Sequence, residues 1–351
     1  MKKYLIGAVV VLVIVVFVSF GMKDSGEIKV GALYALSGPV SIYGELSIKG
    51  VRDAVKYFKE NGGEANIKLV EEDSVGDPKV GATSAQKMFS VDGVKYSVVG
   101  LSNVSAAVAP ITDGNDVVAI TDATTIGINK DHKNFFQNFI PSFNFAGPYL
   151  IEQKAKKVAI IYTNDEFGIK WNEAISGVIK DKIEVKGFPV ARDAKDFSTD
   201  ASKIKQFNPD RILIISYGTS LNQIYKDMAN IGIDKNKFIA YLSCTLPGVL
   251  TANSLEGSLS YEYPVVQAGD IRDWMEKNNA PKSTFYTSAF ENTLVLLLAI
   301  DKVGDNPEKV REYLKKNSIS GVYGNVEFGD DGVVERDLIL TKVQNNACVS
   351  L

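Results

Sequence analysis

The sequence predicts an α/β protein built as two doubly wound lobes, and three observations carry the prediction. The 351 residues are 45% apolar and 23% charged, the balance of a folded globular chain, and the length suits two cores at about 100–200 residues per domain. From Ile28 onward, short apolar runs of strand length alternate with amphipathic helical stretches, which is the pattern of parallel α/β layers. A break in periodicity from Pro141 to Pro148, containing Asn144 and Gly147, separates a first such series from a second.

The first strand is Ile28 to Leu33. A loop with Ser37-Gly38-Pro39 leads to a helix in which Ile48, Val51, Val55 and Phe58 recur at helical steps, ending at Asn61-Gly62-Gly63. Strand-like runs follow at Ile67 to Val70, Tyr96 to Val99 and Val117 to Thr121, separated by helical stretches near Pro78 to Phe89 and Ser105 to Thr112. The second series opens with a strand at Val158 to Tyr162. It continues with a helix from about Ile169, a strand near Ile183 to Val185, a helix near Ser198 to Gln206, a strand at Ile212 to Ser216 and a helix ending at Gly232. A second break near Tyr261 to Gly269 precedes helical patterns over Ile271 to Asn278 and Phe285 to Val303. The apolar stretch Leu294 to Ile300 suits a helix buried against a lobe and is too short to span a membrane.

Residues 1–22 stand apart. Lys2 and Lys3 precede an uncharged apolar run from Tyr4 to Phe20, the pattern of an export signal. The run exceeds the usual signal-peptide core of about 7–15 residues and reaches the lower limit of about 17–25 for a spanning helix, so cleavage after Gly21 and retention as a membrane anchor both stand. Either way the body is expected outside the cytoplasm. No cysteine follows the run to carry a lipid.

Composition removes several functions. Lys and Arg number 39 against 42 Asp and Glu, for a net charge of -3, and few of the basic residues are the Arg that grips phosphate best, so nucleic acid is not an expected partner. One histidine, His132, excludes multi-histidine metal sites. Cys244 and Cys348 lack metal or thiol-redox spacing, and their pairing is not legible from sequence. No dinucleotide fingerprint, Walker loop, zinc-protease helix or nucleophile elbow occurs, and Glu71-Glu72, adjacent in a strand, point to opposite faces. An enzyme is not expected, nor is a cofactor or metal.

The run Val30 to Leu33 with Leu36-Ser37-Gly38-Pro39, Tyr43-Gly44-Glu45, Gly50 and Asn61-Gly62-Gly63 resembles the opening of the branched-chain amino acid type of periplasmic solute-binding protein, the receptors of ABC uptake systems. Further points of resemblance are Asp73, Asp77-Pro78, Gly100 with Ser102, the Ile120 to Thr125 loop, Tyr162 with Phe167-Gly168, Asp196-Phe197-Ser198 and Phe328 with Asp330-Asp331-Gly332. The resemblance spans nearly all of the chain after the export segment. It implies the type I periplasmic binding fold: two Rossmann-like lobes joined by three crossover segments, with the ligand in the cleft. The implied lobes are residues 27–143 plus 269–325 and residues 144–268 plus 326–351.

Site candidates follow. Ser102 lies between a strand and a helix, where its hydroxyl and the first free amides can converge on a carboxylate or simply cap the helix; Asn103 shares that loop. By resemblance, Ala123 contributes backbone groups and Thr125 its hydroxyl and amide to the ligand, while Tyr43, Phe167 and Tyr217 pack over it. Relatives that bind amino acids place a second-lobe carboxylate on the ligand ammonium, and the matching stretch Ala240 to Cys244 contains no acid. Either the ligand lacks an amine or another acid serves, and Asp122 is the nearest substitute; the alternative for Asp122 is a helix-capping role. The expected function is an extracytoplasmic receptor that captures a small carboxylate-bearing ligand, an amino acid or related acid or amide, and presents it to an ABC permease and ATPase. The alternative is a membrane-anchored sensor using the same module without transport.

Overall fold

The computed structural model describes residues 26–141, 146–217, 219–246, 255–264, 266, 269–345 and 347–351. The export or anchor segment and parts of both periodicity breaks lie outside the described residues.

The first lobe is wound on strands β1 (Ile28–Tyr34), β2 (Ile67–Asp73), β3 (Tyr96–Val99), β4 (Val118–Thr121) and β5 (Phe135–Pro141). The second is wound on β6 (Lys157–Thr163), β7 (Glu184–Val190), β8 (Arg211–Ile215), β9 (Phe238–Tyr241) and β10 (Leu259–Glu262). After a two-stranded ribbon, β11 (Ile319–Gly321) and β12 (Gly324–Val326), the chain adds β13 (Val333–Arg336), β14 (Ile339–Gln344) and β15 (Ala347–Ser350). The sheets run β13-β5-β4-β3-β1-β2 and β15-β14-β10-β9-β8-β6-β7, so each lobe repeats the 2-1-3-4-5 order of a doubly wound sheet. All pairings in the first sheet are parallel, and β14 and β15 close the second antiparallel. Strands covered on both faces should be apolar throughout, and β3, β4 and β5 are buried along their whole length.

The chain passes between the lobes three times: between β5 and β6, between β10 and the helix Asp270–Lys277, and between β13 and β14. This corrects one sequence boundary. The second lobe does not resume at residue 326, because Val333–Arg336 adds a parallel edge strand to β5 and Phe328 packs edge-on against Phe136 at 5.0 Å. The switch falls after Arg336.

Two helices hold the first lobe from the far side. Thr284–Val303 packs along Ser41–Glu60, and Gly50 permits the contact: a Cβ there would stand 2.3 Å from the Tyr286 carbonyl oxygen. In the second lobe, Cys244 and Cys348 form a disulfide that ties the loop after β9 to the edge strand β15, with Cα atoms 5.9 Å apart. Among the described residues no helix is long and apolar enough to cross a membrane.

Candidate functional site

The carboxyl ends of β1, β3, β4 and β5 face those of β6, β8, β9 and β10, the edge at which open α/β sheets collect ligands. Between them lies a cleft of about 90 Å³. The first lobe lines it with Leu101, Ser102, Asp122, Ala123, Thr124 and Phe139, and with Thr284, Phe285 and Ser288 from the start of the long helix; the second lobe and its crossover add Phe167, Ser216, Tyr217, Tyr241, Leu242, Leu246 and Tyr263.

Backbone geometry aims several of these groups. Leu101, Phe139 and Leu242 all have positive φ, at 66°, 79° and 56°, a region that costs a non-glycine residue about 1–3 kcal/mol and is tolerated where the surroundings fix it. Phe139 is the extra residue of a bulge, since Asn138 pairs with Val334 and Ile140 with Glu335, and the bulge turns its ring to the cleft. Glycine serves the same end in both lobes. In the first turn of Ser41–Glu60 a Cβ on Gly44 would stand 1.9 Å from the Ala35 carbonyl oxygen, and in the first turn of Glu166–Ile179 a Cβ on Gly168 would stand 1.9 Å from that of Thr163. Tyr43 and Phe167, each preceding one of these glycines, are thereby held close to their strand ends.

Asp122 is the one acid or base, tyrosines aside, on the cleft lining among the described residues. It accepts a hydrogen bond from Ser288 Oγ at 3.0 Å, and its own amide and that of Leu101, which heads the helix Ser102–Asn115, favour its ionised form. Burial outweighs them and pushes its pKa up to about 6. Ser102 lines the cleft at the start of that helix, and Thr124 and Tyr241 line it from opposite lobes.

The aromatic wall is braced from behind. Phe167 meets Tyr217 edge-on at 5.5 Å and Trp171 at 5.4 Å, and Tyr43 stacks on Phe285 at 4.6 Å. The Tyr217 hydroxyl donates to Asp165, which also takes Arg192 Nη2 at 3.0 Å, while the guanidinium lies 5.3 Å from the Tyr217 ring centre. Arg192 Nη1 reaches across to the Gly76 carbonyl of the first lobe at 3.4 Å. Ser283 Oγ donates to Thr245 O at 3.1 Å and Thr284 Oγ1 to Thr245 Oγ1 at 3.0 Å, so the lobes stand drawn together.

Of the residues singled out from sequence, Ser102, Asp122, Ala123, Phe167 and Tyr217 line this cleft. Tyr43 lines an adjoining crevice with Tyr34 and Gly100. Ala123 and the remaining candidates have these surroundings. Ala123 keeps its backbone within the lobe, its amide donating to Thr121 Oγ1 at 3.0 Å and its carbonyl accepting from Gln137 Nε2 at 3.4 Å. Thr125 is buried, its carbonyl held by Gln137 Nε2 at 2.8 Å and its hydroxyl without a partner among the described residues, while Thr124 lines the cleft. Asn103 donates to Gly76 O at 2.9 Å and serves the loop below. Sequence reasoning missed Phe285 and Ser288, which arrive from a helix that reads as pure core, and Tyr263, which sits in a crossover.

His132 pairs with Asp113 at 3.0 Å, away from the cleft lining. Among the described residues, the metal-ligand side chains that converge are Cys244, Glu262 and Cys348, and the disulfide removes both thiolates.

Two doubly wound lobes closing on a cleft at the carboxyl ends of their strands define a two-lobed binding protein of type I periplasmic architecture. Residues 27–347 match the sequence profile of the periplasmic binding protein family, and the chain belongs to that family, in its branched-chain amino acid type; it is a binding protein and not an enzyme. It is 26% identical over 342 residues to the leucine-, isoleucine-, valine-, threonine- and alanine-binding protein of Pseudomonas aeruginosa, covering 90% of this chain and 89% of the relative. The Leu/Ile/Val-binding protein of Escherichia coli K12 is 26% identical over 339 residues, covering 89% of each. Among solved structures, a leucine-binding protein of Thermotoga maritima superposes with a TM-score of 0.83 at 18% identity over 92% of this chain and 97% of its own. A solute-binding protein of an ABC transporter from Rhodopseudomonas palustris, in complex with 4-hydroxybenzoate, gives 0.81 at 20% identity over 93% and 95%. These two likenesses carry the fold.

Proposed function

We propose that this chain is an exported receptor that captures a small organic solute in the interlobe cleft and presents the closed complex to an ABC importer. The observation that carries the reading is the cleft: two sheet ends facing each other, one polar corner at Ser102, Asp122 and Ser288, and an aromatic surround. A hydrocarbon body against the rings and one polar end in that corner describe the ligand. The relatives support the class, since their names place them among amino-acid receptors and solute-binding proteins of ABC transporters.

Capture proceeds by hinge closure. A volume of about 90 Å³ is below the roughly 150 Å³ that holds benzene in a closed apolar cavity, so a ligand enters with the lobes further apart and the cleft closes around it. Ligand contacts on the first lobe come first; the Phe167 and Tyr217 wall then swings over and excludes water. Only a ligand that prefers the closed form can drive the swing.

Native mass spectrometry of the purified body identifies a co-purified solute. Its readdition to stripped protein at 100 times its Kd should stabilise the fold by about 2.7 kcal/mol, a rise of several degrees in Tm. Phe167→Ala should remove that rise, read against the variant's own ligand-free Tm. A solute whose stabilisation survives Phe167→Ala and Asp122→Asn together binds elsewhere, and the reading fails.

A further inference from the structure

We propose that the solute is an organic monocation without a carboxylate: an amine whose ammonium pairs with Asp122 and whose hydrocarbon body lies against the aromatic wall. The inference rests on the reading of the cleft as the ligand site and sets the class of ligand that the site takes.

Three observations agree in sign. The first is where the Asp122 carboxylate sits. It accepts from Ser288 Oγ at 3.0 Å and stands on the cleft lining beside the head of Ser102–Asn115, so a donor that could receive a ligand's anionic end already serves the protein's own anion. The Ala123 amide, expected to join it, is spent on Thr121 Oγ1 at 3.0 Å. A ligand carboxylate arriving at this corner meets a like charge in a dry site, which disfavours ionising both.

The second is the lack of a counter-charge. Among the described residues no Lys, Arg or His lines the cleft, and the stretches beyond residue 25 that lie outside them contain none in sequence. The nearest guanidiniums are already matched, Arg192 by Asp165 at 3.0 Å and Arg336 by Glu291. The third is the wall. Phe139, Phe167, Tyr217, Tyr241, Tyr263 and Phe285 present ring surfaces to the same small volume. Ring faces are negative and attract a cation, so they add to the pull of Asp122 on an ammonium and oppose an anion.

The test uses compounds matched in hydrocarbon body on the whole exported chain at pH 7.5, read by calorimetry and thermal shift. Leucine is compared with 3-methylbutylamine, which lacks its carboxylate, and with 4-methylpentanoate, which lacks its amine; phenylalanine, 2-phenylethylamine and 3-phenylpropanoate form the second set. The expected order is amine tightest, amino acid at least roughly tenfold weaker, acid not bound. Asp122→Asn should weaken the amine by roughly tenfold to a hundredfold, the worth of a hydrogen bond to a charged group, and narrow or reverse the gap to the acid. The wild-type comparison stands even if that variant misfolds. Leucine or either acid binding more tightly than the matched amine overturns this inference and leaves the receptor reading intact. Binding by none of the six, with no small molecule retained in native mass spectrometry, overturns both.

Discussion

At the scale of single residues, two buried carboxyls set how this protein responds to pH. Burial pushes Asp122 up to about 6 and Glu262 up to about 7. The rise in Glu262 is opposed by the Ser260 hydroxyl, the Cys244 amide and the Thr245 hydroxyl, and that in Asp122 by the Ser288 hydroxyl, while the phenols of Tyr34 and Tyr263 near Asp122 stay neutral. A carboxyl whose pKa is raised by folding binds its proton more tightly in the native state. Its contribution is therefore fully present below the unfolded value near 4 and is lost as pH rises through 6 to 7. Other acids act oppositely. Burial works against ionisation of Asp73, yet the Ser37 hydroxyl and the amides of Val75, Leu36 and Ser37 hold its pKa low, and the amides of Lys156 and Lys157 do the same for Asp210; their stabilisation goes only below about pH 4. The ligand-free protein should thus gain stability as pH falls from 8 to 5, by about 1 kcal/mol from Asp122 and about 3 kcal/mol from Glu262, and lose stability again below 4. Thermal melts across that range measure it, and the double variant Asp122→Asn, Glu262→Gln should be nearly flat between pH 5 and 8. A wild-type Tm that falls steadily from pH 8 downward would contradict the assignment. A cationic ligand should also bind more weakly as pH drops through about 6, where Asp122 takes up its proton.

At the scale of elements, the sequence reads best where burial is apolar and worst where it is polar. Tyr96 to Val99 is predicted to the residue, and Asp77-Pro78 marks a helix start that the structure shows in full, with Asp77 Oδ1 accepting from the amides of Lys79 and Val80. The strand β5 escaped, because Gln137 and Asn138 interrupt its apolar run. Both are buried and satisfied by distant partners, Gln137 by Thr125 O at 2.8 Å and Asn138 by Glu291 and Asn292 at 2.9 Å each, and no local pattern announces such bonds. The site was half legible for a related reason. Strand ends put Ser102 and Asp122 on the cleft lining, whereas telling Thr124 from Thr125 there needs the backbone direction of a short loop, and Phe285 and Ser288 belong to an element far along the chain. The Asn138 cluster also anchors the third crossover, since Arg336 pairs with the fully buried Glu291 and lies 4.8 Å from the Phe139 ring centre. Removing one partner leaves an unmatched charge, so Glu291→Ala should cost about 3–5 kcal/mol in denaturant unfolding, while Asp301→Ala, which frees only the amides of Glu64 and Ala65 at the surface, should cost less. At the other crossover end, the disulfide closes a loop with a sequence separation of 104 and holds the segment that carries Leu242 and Leu246. Cys348→Ser should destabilise by about 2–5 kcal/mol and weaken ligand binding as well, because part of the cleft wall is released. A variant that loses stability with unchanged affinity would separate the tether from the site.

At the scale of the whole molecule, the repeated topology makes the two lobes similar bodies whose facing edges differ in kind: polar at Asp122, Ser102 and Ser288 on one side, aromatic at Phe167, Tyr217 and Tyr241 on the other. Neither edge alone encloses a ligand, so affinity depends on how much of the population is closed. Among the described residues, few polar contacts join the lobes beside the packing of Ala35, Val40 and Tyr43 with the second lobe's core. Arg192 to the Gly76 carbonyl at 3.4 Å and the Tyr43–Tyr217 ring contact at 6.3 Å lie across the cleft mouth, and the Thr245 bonds to Ser283 and Thr284 lie near the crossovers. The mouth contact is long for a hydrogen bond, which suits a latch that must open. Arg192→Ala should therefore leave the ligand-free fold intact and shift the population toward open. Small-angle scattering without ligand should give a larger radius of gyration than wild type, and saturating ligand should bring both to the same compact value. Apparent affinity scales with the closed fraction, so it should fall roughly threefold to tenfold, the worth of one modest hydrogen bond. The loss should appear mainly in the off-rate, because the first-lobe corner that receives the ligand is untouched. Identical ligand-free scattering for variant and wild type, with unchanged affinity, would mean that Arg192 only braces Tyr217 within its own lobe and that closure is held at the crossovers alone.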